Sequence, residues 1–161
     1  MTSYGTGQLK NLLIVANQPS DNTRHLATQT LTGAQHPDIS CVQVSLKQPL
    51  DARPEDVLCC DGIIIGSTEN FGSMAGLVKD FLERIYYPCL EHTQGLPWAL
   101  YVRAGNDGTG TIQSIERIVT GLRWSMIQPA LLLQGNYQSS FPDQCQELGM
   151  TMAAGLDAGI Y

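Results

Sequence analysis

The sequence predicts a three-layer α/β protein, an open sheet of five parallel strands with helices on both faces, with residues 1–161 in a single domain. Three observations carry that expectation. Apolar runs such as Leu12-Leu13-Ile14-Val15-Ala16 and Ile63-Ile64-Ile65 are continuous rather than alternating, which suits parallel strands covered on both faces. Segments between the runs repeat their apolar residues with the helical period. Strand and helix alternate along the chain with no repeat and no linker, the pattern that right-handed crossovers produce.

In chain order, residues 1–8 are rich in Ser, Thr and Gly and read as a loose arm. The first strand occupies residues 9–16. Asn17-Gln18-Pro19-Ser20-Asp21-Asn22 breaks it with residues that favour turns and caps. From Thr23 a helix gathers Leu26, Ala27, Thr30, Leu31 and Ala34 on one face, and Gly33 and Pro37 close it. Residues 38–46 form a second strand, whose partial alternation places it at a sheet edge. A proline-containing connection follows, with a helical turn near residues 54–58. The third strand covers residues 61–66. Met74, Leu77, Val78, Phe81, Leu82 and Ile85 then mark the most regular amphipathic helix, stopped by Pro88. Residues 96–104 form the fourth strand, with Pro97 tolerated at its start. Ile112, Ile115, Ile118, Val119 and Leu122 define the next helix. Residues 126–134 hold the fifth strand, mainly Ala130-Leu131-Leu132-Leu133. A last helix runs from Pro142, with Leu148, Met152 and Leu156 on one side.

Composition narrows the function classes. At 161 residues, 43% hydrophobic and 15% charged, the chain has the makings of a full core. A net charge of −6 with no basic stripe argues against nucleic acid as a partner. No leader pattern or membrane-length apolar stretch is present, so the expectation is a cytoplasmic protein with no membrane partner. The five cysteines (Cys41, Cys59, Cys60, Cys89, Cys145) lack metal-ligand spacing and read as reduced, mostly buried thiols. Cys59-Cys60 reads as a strand lead-in, with a vicinal disulfide as the alternative. His25, His36 and His92 have no metal-binding spacing, so no metal site is expected. Tyr86, Tyr87, Trp98 and Trp124 read as core or subunit-contact aromatics, or as the frame of a substrate pocket.

The strand order 2-1-3-4-5 is the flavodoxin-like one of the common doubly wound orders, and it brings the loops after strands one, three and four to one end of the sheet. All three loops are polar, small and punctuated. In the first, Gln18, Ser20, Asn22 and Thr23 precede a helix, where N–H groups and side-chain donors hold a phosphate. The same residues also make an ordinary helix cap, and the sequence reads both ways. The loop after the third strand, Gly66 to Met74, contributes Ser67, Thr68, Glu69, Asn70, Phe71 and Gly72. Phe71 brings an apolar face, and Gly72, Ala75 and Gly76 keep bulk away from the following helix. The loop after the fourth strand contributes Ala104, Gly105, Asn106, Gly108 and Gly110, a rim of backbone amides that equally suits plain turn chemistry.

The stretch Gly66-Ser67-Thr68-Glu69-Asn70-Phe71-Gly72-Ser73-Met74-Ala75-Gly76-Leu77-Val78-Lys79-Asp80-Phe81-Leu82-Glu83-Arg84 resembles the flavin loop and following helix of flavodoxin-like NAD(P)H:quinone and FMN reductases. The nearest comparison is the tryptophan-repressor-binding-protein-like flavoproteins. The resemblance implies FMN as cofactor and NAD(P)H as co-substrate. It places Ser20, Asn22 and Thr23 on the FMN phosphate and Ser67 to Gly72 on the ribityl chain and ring. Ala104 to Gly110 would border the pyrimidine end. A homodimer or homotetramer is likewise an expectation from the resemblance. Two positions depart from the pattern: Thr68 stands where the family usually has Pro, and Glu69 where it has Thr. A carboxylate turned toward the flavin would weaken its binding.

The function these readings imply is an FMN oxidoreductase that moves a hydride from NAD(P)H to a quinone-like or other small acceptor. The flavin carries the redox chemistry, so no side chain is nominated as catalytic. The alternatives are a flavodoxin-type electron carrier without NAD(P)H activity and a flavin-free interaction domain on the same fold.

Overall fold

A computed structural model describes residues 8–161; residues 1–7 of the expected N-terminal arm lie outside the described residues. The central sheet is built from β1 (Lys10–Ala16), β2 (Val42–Lys47), β3 (Gly62–Asn70) and β5 (Pro97–Ala104), with β6 (Ser125–Met126) and β7 (Leu131–Gln134) beyond β5. The order is β2-β1-β3-β5, followed by β6 and β7 one after the other along the same edge of β5. Every pairing among these strands is parallel. This is the expected flavodoxin-like order with one difference: the fifth strand is broken in two. Ile127 N still donates to the Trp98 carbonyl at 3.0 Å, and the break falls after it, where Pro129 has no N–H to give.

Helices α1 (Asp21–Ala34) and α5 (Ser140–Asp157) cover one face of the sheet. The short α2 (Pro54–Leu58), α3 (Gly76–Cys89) and α4 (Thr109–Leu122) cover the other. Strand pleating divides the apolar runs between the two cores. Leu13, Val15, Ile63 and Ile65 face α3 and α4, whereas Leu12, Ile14 and Ile64 face α1 and α5. Both faces of β1 and β3 are therefore buried, which is why their sequences do not alternate.

Several boundaries differ from expectation. The second strand starts at Val42 rather than residue 38, because pairing begins only where Lys10 meets Val42. Its burial alternates as an edge strand should. Gly33 does not end α1 but lies within it, pressed against α5, where a Cβ would overlap the carbonyl oxygen of Gln146. Pro88 sits inside the last turn of α3, which ends just after it at Cys89. Leu77, expected on the buried stripe of that helix, is exposed, and Met74 belongs to a strand instead. Trp98 and Trp124 are buried as an edge-to-face pair with centroids 6.4 Å apart. Of the thiols, Cys89 and Cys145 are buried, Cys41 and Cys60 half-buried and Cys59 exposed, all unbridged. Among the described residues, no helix is long and apolar enough to cross a membrane.

Candidate functional site

The largest correction falls on the segment after the third strand. It is not a loop from Gly66 onward: β3 continues to Asn70, and β4 (Ser73–Met74) returns antiparallel to it. The polar residues stay in strand geometry because Ser67 pairs with Val102 and Thr68 with Arg103 of β5. Phe71 and Gly72 make the two-residue turn, with φ of 53° and 75°. Left-handed backbone at both central positions matches the twist of a hairpin, and Gly72 adopts it freely. For Phe71 the conformation carries a steric cost, and its ring is fully exposed at the tip.

The pleat also decides which way each hairpin side chain points. Ser67 faces α3: its hydroxyl accepts from Ala75 N at 3.1 Å and donates to the Thr68 carbonyl at 2.9 Å. Thr68 faces the α1 side, where its hydroxyl accepts from Asn17 Nδ2 at 3.0 Å and donates to Asn70 Oδ1 at 2.8 Å. Glu69 falls on the opposite face again. Its two carboxylate oxygens accept from Asn106 N at 3.0 Å and Gly108 N at 2.8 Å. The carboxylate therefore points away from the edge shared by Asn17, Thr68 and Asn70.

At the start of α1, Ser20 is the N-cap and forms a reciprocal capping box with Thr23. Ser20 Oγ accepts from Thr23 N at 3.2 Å, and Thr23 Oγ1 accepts from Ser20 N at 2.9 Å. Both hydroxyls thus serve the cap, as one reading of the sequence has it. The N–H groups of Asp21 and Asn22 have no acceptor among the described residues, so the helix start still presents two free donors along its dipole. The exposed Asp21 carboxylate is paired with Arg24. Gln18 turns back onto the carbonyl of Ala16 at 3.4 Å.

The third segment opens α4. Gly108 is its N-cap with φ 72°, and Asp107 Oδ1 accepts from Thr109 N at 3.0 Å. Gly110 packs so closely on the hairpin that a Cβ there would overlap the carbonyl oxygen of Gly72. Thr111 Oγ1 donates to the Ser73 carbonyl at 2.8 Å, and Met74 N donates to Ser114 Oγ at 3.3 Å. Hairpin and α4 start are thus sewn together, while Asn17 ties the hairpin to the β1–α1 loop.

Two residues escape the sequence reading. Asn17, buried at the end of β1, links two loops; its only signal is a polar residue directly after an apolar run. Arg103, a lone charge ending a buried strand, lies on the same face as Thr68. Its guanidinium sits 5.8 and 5.3 Å from the ring centroids of Tyr137 and Phe141, and Nη1 donates to the carbonyls of Ala104 and Leu133. Tyr86 and Tyr87 line a groove of about 520 Å³ between α3 and α4 with Lys79, Leu82, Glu83 and Ile118, apart from the three loops.

The site and its scaffold define a flavodoxin-like α/β protein with its polar loops clustered at the carboxyl ends of the strands. Among curated proteins the chain is similar to a flavodoxin of Aquifex aeolicus (strain VF5), 26% identical over 111 residues. That match covers 69% of this chain and 59% of the relative, so the chain spans about three-fifths of the relative's length. Among solved structures, a flavodoxin from the domain Archaea superposes with a TM-score of 0.77 at 18% identity, covering 91% of this chain and 98% of that one. A flavodoxin, WrbA-like protein from Agrobacterium tumefaciens gives 0.75 at 15%, over 93% and 98%. The flavodiiron protein from Giardia intestinalis gives 0.78 at 15%, over 94% of this chain and 37% of that one. These likenesses show the fold. No protein-family model matches the chain.

Proposed function

We infer that this protein is a cytoplasmic FMN-binding oxidoreductase that passes a hydride from NAD(P)H to a quinone-like or other small acceptor. One observation carries the cofactor reading: Asn17, Thr68 and Asn70 form a hydrogen-bonded polar edge between the start of α1 and the exposed Phe71. At the phosphate end the residues fit. Asp21 and Asn22 offer free N–H groups at the start of a 14-residue helix, Asn22 adds its side chain, and Arg24 offsets the Asp21 charge. At the ring end they fit as well, because Glu69 is turned away and Phe71 is free to stack. Bound there, FMN would supply two-electron redox chemistry, while the chain's residues position it and shape the electrostatics around it. Similarity to a curated flavodoxin supports the flavin reading and equally supports an electron carrier without NAD(P)H activity, the second reading.

The test has two stages. Titration with FMN asks whether the cofactor binds. Steady-state oxidation of NADH or NADPH with a quinone then separates the two readings: turnover supports the oxidoreductase, and its absence in FMN-loaded protein supports the carrier. A protein that binds no FMN contradicts both.

A further inference from the structure

Glu69 is one of the two departures in a segment that resembles a flavin loop, and the structure shows where its charge goes. Strand pleating puts it on the opposite face from Thr68 and Asn70. There each carboxylate oxygen takes one backbone N–H of the next loop, Oε1 from Asn106 and Oε2 from Gly108. The loop needs such a tether, since Gly105, Asn106 and Asp107 are exposed and Gly108 holds a left-handed backbone at the helix start. Other ties hold the hairpin to α4 itself: Thr111 to Ser73, Met74 to Ser114, and the close approach of Gly110 to Gly72. Glu69 alone among these reaches back to Asn106, at the middle of the exposed loop.

We propose that Glu69 is a positioning residue for the FMN site: it fixes the loop formed by Gly105 to Gly108 against the hairpin before the cofactor arrives. The proposal rests on the FMN reading and deepens it. It also reverses a sign. A carboxylate facing the flavin would repel the anionic nucleotide, and removing it would tighten binding. A carboxylate that holds a wall of the site in place does the opposite, because its loss adds the cost of ordering that wall to the cost of binding.

Glu69→Gln separates the two. Glutamine keeps the length but has one acceptor oxygen, so one of the two amides loses its partner. FMN fluorescence titration should show Kd rising about tenfold, in line with the loss of one charge-assisted hydrogen bond. Amide hydrogen exchange should speed up at Asn106 and Gly108 but not at Ile64 or Leu100, which marks a local effect on the loop rather than general destabilisation. Saturating FMN should slow exchange at Asn106 and Gly108 again. If wild type binds FMN and Glu69→Gln binds it equally or more tightly, the positioning role is overturned while the FMN reading stands. If wild type binds no FMN, the FMN reading falls and the positioning role falls with it.

Discussion

Asn17 donates its side-chain amide to the hydroxyl of Thr68 at 3.0 Å, joining the loop after the first strand to the hairpin that extends the third. Asn17 is buried, and its backbone N–H also reaches the carbonyl of Gly66 at 2.9 Å. Thr68, at a position where the resembling family usually has Pro, is thus the joint between two walls of the candidate site. Its hydroxyl serves both Asn17 and Asn70.

That joint predicts coupling. Asn17→Ala and Thr68→Val each remove the same hydrogen bond and should each cost about 1 kcal/mol of stability. The double variant should cost less than the sum of the two, with a coupling of about 1 kcal/mol in urea denaturation. Strict additivity would mean that the contact contributes nothing. Thr68→Pro should weaken the joint rather than improve the site, since proline cannot replace the hydroxyl.

Much of this architecture is legible in the residues themselves. Continuous apolar runs reveal β1 and β3 because both faces of each strand are buried, and helical spacing reveals Val78, Phe81, Leu82 and Ile85. The hairpin is not legible. Ser67 to Asn70 carry no apolar pattern and are held extended by their partners on β5 and β4, a tertiary effect. Phe71 is also an unusual residue for a left-handed turn position, which normally draws Asn, Asp or Gly. Of the site, the residue types were readable and their directions were not. Glu69 is the clearest case, because only the pleat decides which loop its carboxylate meets.

Gly33 and Gly149 test the packing that holds α1 in place. The two helices meet backbone to backbone: a Cβ at Gly33 would overlap Gln146 O, and one at Gly149 would overlap Thr30 O. Gly33→Ala and Gly149→Ala should each destabilise by about 3 kcal/mol, or prevent folding, even though alanine is the better helix former. Gly76→Ala, at the start of α3 with open space around it, is the control and should stay within about 0.5 kcal/mol of wild type.

The buried and half-buried thiols are expected to set the alkaline limit. Burial pushes Cys145 and Cys60 from an ordinary 9.0 up to about 12, and Cys89 up to about 11. Burial between α1 and α5 also raises the Tyr101 phenol above its ordinary range. In each case the folded value lies above the unfolded one. The contribution is fully present below the unfolded value and is lost as pH rises through about 9 to 12. Thermal midpoints should therefore be level between about pH 6 and pH 8.5 and fall steadily above pH 9. At pH 8, a maleimide reagent should modify the exposed Cys59 first and leave Cys89 and Cys145 intact until the protein unfolds. Early labelling of Cys145 would contradict the packing of α5 on the sheet.

The proposed flavin-nucleotide site joins the start of α1 to the hairpin. Its most direct test is a comparison of FMN and riboflavin by fluorescence titration of the purified, flavin-stripped protein. Saturable binding of one FMN per chain is expected. Riboflavin should bind at least tenfold more weakly, because the free N–H groups of Asp21 and Asn22 then have no phosphate to meet. Equal affinity for the two would contradict the phosphate site, and no binding of either would contradict the flavin site altogether.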